Sequence, residues 1–353
     1  MTTSLATTAT EPHDAARDGF LGSLVADAVA MPVHWYYDRQ ALDRDYPDLL
    51  PPPAGPAYLA PRSPHADSIL WRSQWTPPGP KFDILRDQAV FWGRRGIHYH
   101  QFLAAGENTL NFRLATELFA FVRRQRDYDP LPWLDLYIKL MLEPGWHRDT
   151  YVEEYHRHFF TNLGAGRKPA SCGVRDVHIG GLVPVPALVA ALGPRHPDLG
   201  RIVRLHVGLT HKDDDVLAAA DAFVRILADV IPRPEAPPRT VAEAAESLRE
   251  AILEHGRDWL SGAKIAAWEG RDDRQVVGGI LSTACYIDEA FPAALLLAFR
   301  HAGDFAAGVH ANAACGGDNC HRGAVVGALL GTTAPIPTPL LEGLRARARV
   351  EAS

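Results

Sequence analysis

The chain has 353 residues, with 36 Lys and Arg against 42 Asp and Glu, a formal net charge of −6. This balance argues against nucleic acid or an anionic membrane as partner, because both reward a basic surface. The length is enough to bury a core without staples, and 47% apolar with 22% charged content excludes wholesale disorder.

Residues 1–14 are small and polar and read as a disordered tail, leaving 15–353 as one domain. The pattern predicts a helix over Ala16–Met31 that Pro32 stops, with Gly22, Ala26 and Ala30 giving a nearly bare face for close approach. Residues 45–81, with repeated Pro from Pro51 to Pro80 and with Trp71 and Trp75, read as an irregular surface wrap whose Trp rings pack on the core, with a lid contribution. Helical periodicity then predicts a helix over Leu110–Arg124. Val177–Leu192 is punctuated by Gly and Pro and reads as a loop feeding a helix. Further helices are expected over Val216–Ile231, capped by Thr210 or one of Asp213–Asp215, and over Val241–Leu253, capped by Thr240. The last is Arg322–Leu330, whose Gly323, Gly327 and Gly331 form a second backbone-close face. Alternating runs are scarce and no βαβ rhythm appears, so the expected fold is an all-α, single-domain multi-helix bundle.

No apolar stretch reaches the roughly 20 residues of a membrane helix, and the start lacks the apolar region of a signal peptide. Cysteines at 172, 285, 315 and 320 make no disulfide framework, so a cytoplasmic location is expected.

Three segments carry candidate chemistry. In Ala26–Trp35, Asp27 is an anchor for another helix or part of a site, and His34 is a satisfied loop histidine or a proton carrier. In Gly106–Asn111, Asn108 and Thr109 are ordinary N-caps or a polar rim for a ligand at a helix start. In Cys315–Gly323, Gly316 and Gly317 precede Asp318, Asn319, Cys320, His321 and Arg322 at a helix start that favours anions. His310, Cys315, Cys320 and His321 are zinc-type ligands, but their spacing matches no common zinc pattern. Cys320 and His321 are sequence neighbours and point about 100° apart, so they do not form a nucleophilic pair.

Taken together, the segments resemble the ADP-ribosylglycohydrolase family, near its J-type lens crystallin branch. The family's Gly-Asp-Ala-x-Gly-x-Pro-x-Glu stands here as Ala26–His34, and its Thr-Asp-Asp-Thr as Thr109–Phe112. Its Gly-Gly-Asp-Thr-Asp-Thr is Gly316–His321, followed by the Gly323–Ala328 repeat of the glycine-rich helix. Leu209-Thr210-His211 and Glu289–Ala294 resemble further family elements. The resemblance implies an all-α bundle, cleavage of a glycosidic bond of ADP-ribose, and two magnesium ions held by paired Asp residues. In this chain the acidic positions have become His34, Leu110, Asn111 and Cys320, and Asp318 alone remains. Asp318 with an amide and a thiol makes a poor magnesium site, so one weakly held Mg2+ at Asp318, or none, is expected.

On that resemblance the expected protein is a glycosidic-bond hydrolase with a rewired, metal-poor site. Asp318, His34, His321, Asp27 and Cys320 are its catalytic candidates. Asn108, Thr109, Asn111, Gly316, Gly317, Asn319 and Arg322 are expected to bind a small-molecule or ADP-ribosylated substrate. The alternative is a non-catalytic ADP-ribose-binding or crystallin-like structural protein.

Overall fold

The computed structural model describes residues 14–353. Residues 1–13 of the expected tail lie outside the described residues. Asp14, expected in the tail, belongs to the fold: its carboxylate accepts from Arg17 N and caps the helix Ala15–Ala30. Among the described residues no β-strand occurs; the only bridges are isolated ones, such as Val174 to His211 and His178 to Tyr286.

The helices Ala15–Ala30 and Asn319–Gly331 form the centre, and both are buried on nearly every face. An all-round apolar helix has no water-facing side and therefore sits inside other helices. Their two small-residue faces meet: a Cβ on Gly327 would stand 2.2 Å from the Gly22 carbonyl oxygen and 2.6 Å from Ala26 Cβ. A Cβ on Gly331 would stand 2.6 Å from the Asp18 carbonyl oxygen. The helices Val185–Leu192, Ile287–Arg300 and Phe305–Ala314 pack around this pair.

Amphipathic helices form the outside. Leu110–Gln125 ends at Arg126, which adopts φ 59°. Asp213 caps Asp214–Val230 through the amides of Asp215 and Val216, and Thr240 with Glu243 closes a capping box on Val241–His255. No described helix is long and apolar enough to cross a membrane.

The Pro-rich segment is irregular, as expected, and its Trp residues divide: Trp75 packs against the core as expected, and Trp71 does not. Trp71 is 40% exposed under the Arg95 guanidinium, and Trp75 donates to Thr161 Oγ1. The segment also braces the loop after the first helix. Asp67 accepts from the amides of Tyr37 and Asp38, and His65 Nε2 meets the His34 carbonyl at 3.0 Å.

Candidate active site

Two chain reversals build the site. Pro32 cannot continue the first helix, so the chain makes one 3-10 turn over Met31–Val33 and releases His34. Trp35 follows with φ 61°, a left-handed conformation that is rare for a bulky residue and clusters at functional sites. The second reversal is Gly316–Gly317, at φ 69° and 63°. There a Cβ would stand 2.3 Å from the Tyr36 carbonyl oxygen and 2.1 Å from that of Thr283. The backbone locks at Gly317 N to Tyr36 O, Trp35 N to Gly317 O and Asp318 N to Thr283 O. The two loops thus fix His34 against Asp318.

At the junction, Asp318 Oδ1 lies 2.9 Å from His34 Nε2 and 2.8 Å from His321 Nδ1. His34 Nδ1 continues to His100 Nε2 at 2.8 Å, and His100 Nδ1 to Asp149 Oδ1 at 2.7 Å. All these side chains are buried. Asn111 Nδ2 lies 2.6 Å from His321 Nε2, while Asn111 Oδ1 accepts from Tyr155 Oη and His156 Nε2. Glu153 Oε1 is 3.6 Å from His321 Nε2. Trp35 stacks on His34 at 3.9 Å, with Tyr99 and Tyr151 edge-on to the indole.

The charges follow from this packing. Burial works against the Asp318 carboxylate, but His321 and His34 outweigh it and hold the carboxyl well below its ordinary range. Its Oδ2 is nonetheless buried without a hydrogen-bond partner. Burial pushes His34 down to about 3, so this ring is neutral at pH 7. Burial also opposes charge on His321, yet Asp318 and Glu153 raise it to about 9. Charged His321 needs an acceptor at Nε2, which Asn111 supplies only with its carboxamide reversed from the orientation in which Oδ1 accepts from Tyr155 and His156. Burial lifts Glu153 to about 7, a value poised for proton transfer near neutrality.

Three contacts thus join Asp149, His100, His34 and Asp318 into one buried chain.

The predicted residues divide. His34, Asp318, His321 and Asn111 converge. Asp27 does not join them: Oδ2 accepts from Asn108 Nδ2 and Thr109 N, and Oδ1 from Thr109 Oγ1. It ties the first helix to the start of Leu110–Gln125, so Asn108 and Thr109 face Asp27 rather than a ligand. Asp27→Asn leaves one of these buried donors unmatched and is expected to cost about 1–3 kcal/mol in chemical denaturation, with activity per folded molecule kept. Cys320 Sγ points to the Asp27 carbonyl, and burial pushes its thiol up, so it remains a neutral thiol. Asn319 Nδ2 holds the Val33 and Ala313 carbonyls. Arg322 is buried, with Nε on Asn312 Oδ1 and Nη2 on the Asn312 and Gly316 carbonyls. It braces the glycine loop, and its Nη1 is buried without a hydrogen-bond partner. Gly316 and Gly317 make room for the carbonyls of Tyr36 and Thr283, not for a ligand.

The ADP-ribosylglycohydrolase family model matches residues 8–352. The chain belongs to the ADP-ribosylglycohydrolase family. A solved structure described as an ADP-ribosylglycohydrolase-related protein complex is similar over 96% of this chain and 95% of that one, at 22% identity and a TM-score of 0.60. That likeness shows the shared fold. No curated protein matches the chain.

Family members typically use divalent metals, so the ligand set can be tested. Magnesium wants several hard oxygen ligands. Around Asp318 this family member offers imidazole nitrogens from His34 and His321. The residues do not fit a pair of magnesium ions. Nor do His310, Cys315, Cys320 and His321 converge: His310 Nδ1 meets the Ala306 carbonyl, while His321 faces Asp318.

Sequence reasoning missed His100, Asp149 and Glu153. The signal present was the chain's 16 His, with His98 and His100 two positions apart in an irregular stretch. His98 Nε2 meets the Pro32 carbonyl at 2.9 Å and so supports the same turn. Glu153 and Asp149 carried no motif. Also missed was the rim beside Thr283, where the Cys285 thiol contacts His178 and His178 Nδ1 lies 2.8 Å from Asp176 Oδ1. Burial opposes charge on His178, but Asp176 and Cys285 raise it to about 11.

Proposed function

We propose that this family member hydrolyses a glycosidic bond at the ribose of an ADP-ribosyl or related nucleotide or nucleoside substrate, free or attached to a protein. The observation that carries this reading is Asp318 Oδ2: an ionised, buried carboxylate oxygen without a partner, beneath an aromatic rim. Cleavage at an anomeric carbon passes through an oxocarbenium-like transition state. A carboxylate kept ionised in low-dielectric surroundings stabilises that positive charge strongly, because little water screens it.

The proton donor in this reading is Glu153. His34 is closed between Asp318 and His100, whereas the Glu153 side chain is 12% exposed and its Oε2 has no partner. Protonated Glu153 gives a proton to the departing oxygen, and the resulting carboxylate takes one from the attacking water. His321 holds Asp318 in place and stands beside Glu153. The half-buried Trp35 indole offers a face for a sugar or base ring.

A pH dependence follows. If Glu153 must be protonated, turnover is full below about 7 and falls as pH rises through that value. Glu153→Gln is expected to lower turnover by about 100-fold and to remove this limb from the pH profile. An unchanged limb would assign the proton donor elsewhere.

The test is turnover on a panel of ester- and nitrogen-linked ADP-ribosyl peptides, nucleotides and nucleosides, with released sugar resolved by chromatography. Release by the wild type and loss in Asp318→Asn supports the reading. Binding of ADP-ribose with no cleavage of any panel member would favour the non-catalytic binder, to which the lost acidic positions also point.

A further inference from the structure

The site lacks the oxygen ligands magnesium requires, but it does not lack ligand atoms. His34 Nε2, Asp318 Oδ1 and His321 Nδ1 all lie within 4.8 Å of one another, and all three residues are buried. We propose that this cluster binds one borderline divalent transition-metal ion, with zinc the expected occupant, through two imidazoles and one carboxylate. The inference concerns the site of the proposed hydrolysis, but it holds whether or not that reading does.

Four observations support it. The first is ligand chemistry: imidazole suits zinc and its neighbours, whereas magnesium prefers oxygen. Two His and one carboxylate with an open position is a recurrent set for a reactive ion.

The second is the shell behind the ligands. A metal-bound His nearly always donates its other ring N–H to a fixed acceptor. Here His34 Nδ1 faces His100, and His100 Nδ1 faces the Asp149 carboxylate. His321 Nε2 has the Glu153 carboxylate at 3.6 Å as its acceptor side, while Asn111 turns its Nδ2 to the same nitrogen and offers an acceptor there only with the carboxamide reversed.

The third is the pairing behind His34. With an ion on His34 Nε2, His34 donates from Nδ1 to His100 Nε2 and His100 donates from Nδ1 to Asp149 Oδ1, so each of these two contacts has one donor and one acceptor.

The fourth is Asp318 Oδ2, which is buried with no partner. A carboxylate that is satisfied on one oxygen alone has capacity left for a cation. The spacing is compatible: Oδ1 now lies 2.9 and 2.8 Å from the two ring nitrogens. Tetrahedral zinc at about 2.0–2.1 Å from each ligand separates ligands by roughly 3.3 Å, so Oδ1 moves about half an ångström away from each ring nitrogen.

A second cluster, Asp229, Glu254 and His255, also gathers three ligand atoms. It is mostly exposed, has no comparable support behind it, and serves as the control.

The test uses full-length protein stripped with chelator and titrated with Zn2+ against a chromophoric chelator. The expected result is one tight equivalent per chain that millimolar Mg2+ does not displace. His321→Gln should weaken it by about 100-fold or more, while His255→Ala should leave it unchanged. A Co2+ titration of the wild type gives a readout independent of whether variants fold: visible d–d absorption characteristic of a low-coordinate nitrogen–oxygen site. Absence of a tight equivalent would overturn the proposal. So would an equivalent lost in His255→Ala but kept in His321→Gln. Metal analysis of the protein as purified separates zinc from iron without reference to any activity.

Discussion

Asp318→Asn is expected to lower turnover on the true substrate by about 10³–10⁴-fold. The substitution keeps the shape and removes the charge. Oδ1 currently meets two imidazoles, and a carboxamide cannot accept from both while offering an anion to a developing cation. It also leaves His321 buried without its nearest counter-charge, and breaking such a pair costs about 3–5 kcal/mol. Turnover must therefore be measured on material whose circular dichroism shows it to be folded. Wild-type turnover by folded Asp318→Asn protein would remove Asp318 from the chemistry.

Gly327→Val is expected to destabilise the fold by about 3 kcal/mol or more, at the upper end for overpacking. The atom in the way is the Gly22 carbonyl oxygen, 2.2 Å from the position of a Cβ. It belongs to the facing helix backbone, so no rotamer change relieves the contact. The two central helices must separate, and they carry His34 on one side and Asp318 to His321 on the other. The expected readout is a melting temperature lower by roughly 4 °C or more, together with loss of activity beyond what unfolding explains. A variant that melts with the wild type would contradict the close packing.

Much of this architecture was legible in the sequence. Small residues four apart at Gly22, Ala26 and Ala30, and again at Gly323, Gly327 and Gly331, marked two helix faces that pack on each other. Caps at Asp213 and Thr240 fixed two helix starts, because their side chains answer otherwise unpaired amides. The site was legible only in part. His34, Asp318 and His321 sit beside helix ends and glycines that punctuate the sequence. His100, Asp149 and Glu153 come from irregular segments, where no period relates a residue to its spatial neighbours. Polar residues beside this cluster were read as ligand binders, and for a related reason the sequence does not show their partners. Asn108, Thr109, Asn319 and Arg322 have the chemistry of ligand binders, but that chemistry is spent on Asp27, on carbonyls and on Asn312. Sequence shows which groups can bond, and the fold decides with what.

The central claim, that the cluster around Asp318 binds the ribose of ADP-ribose or a close relative, is tested most directly by thermal unfolding with and without ADP-ribose. Ligand at about 100 times its dissociation constant adds about 2.7 kcal/mol to the stability. The account predicts a clear rise in melting temperature for the wild type and a much smaller one for Asp318→Asn. No rise in the wild type, or an equal rise in both proteins, would contradict it.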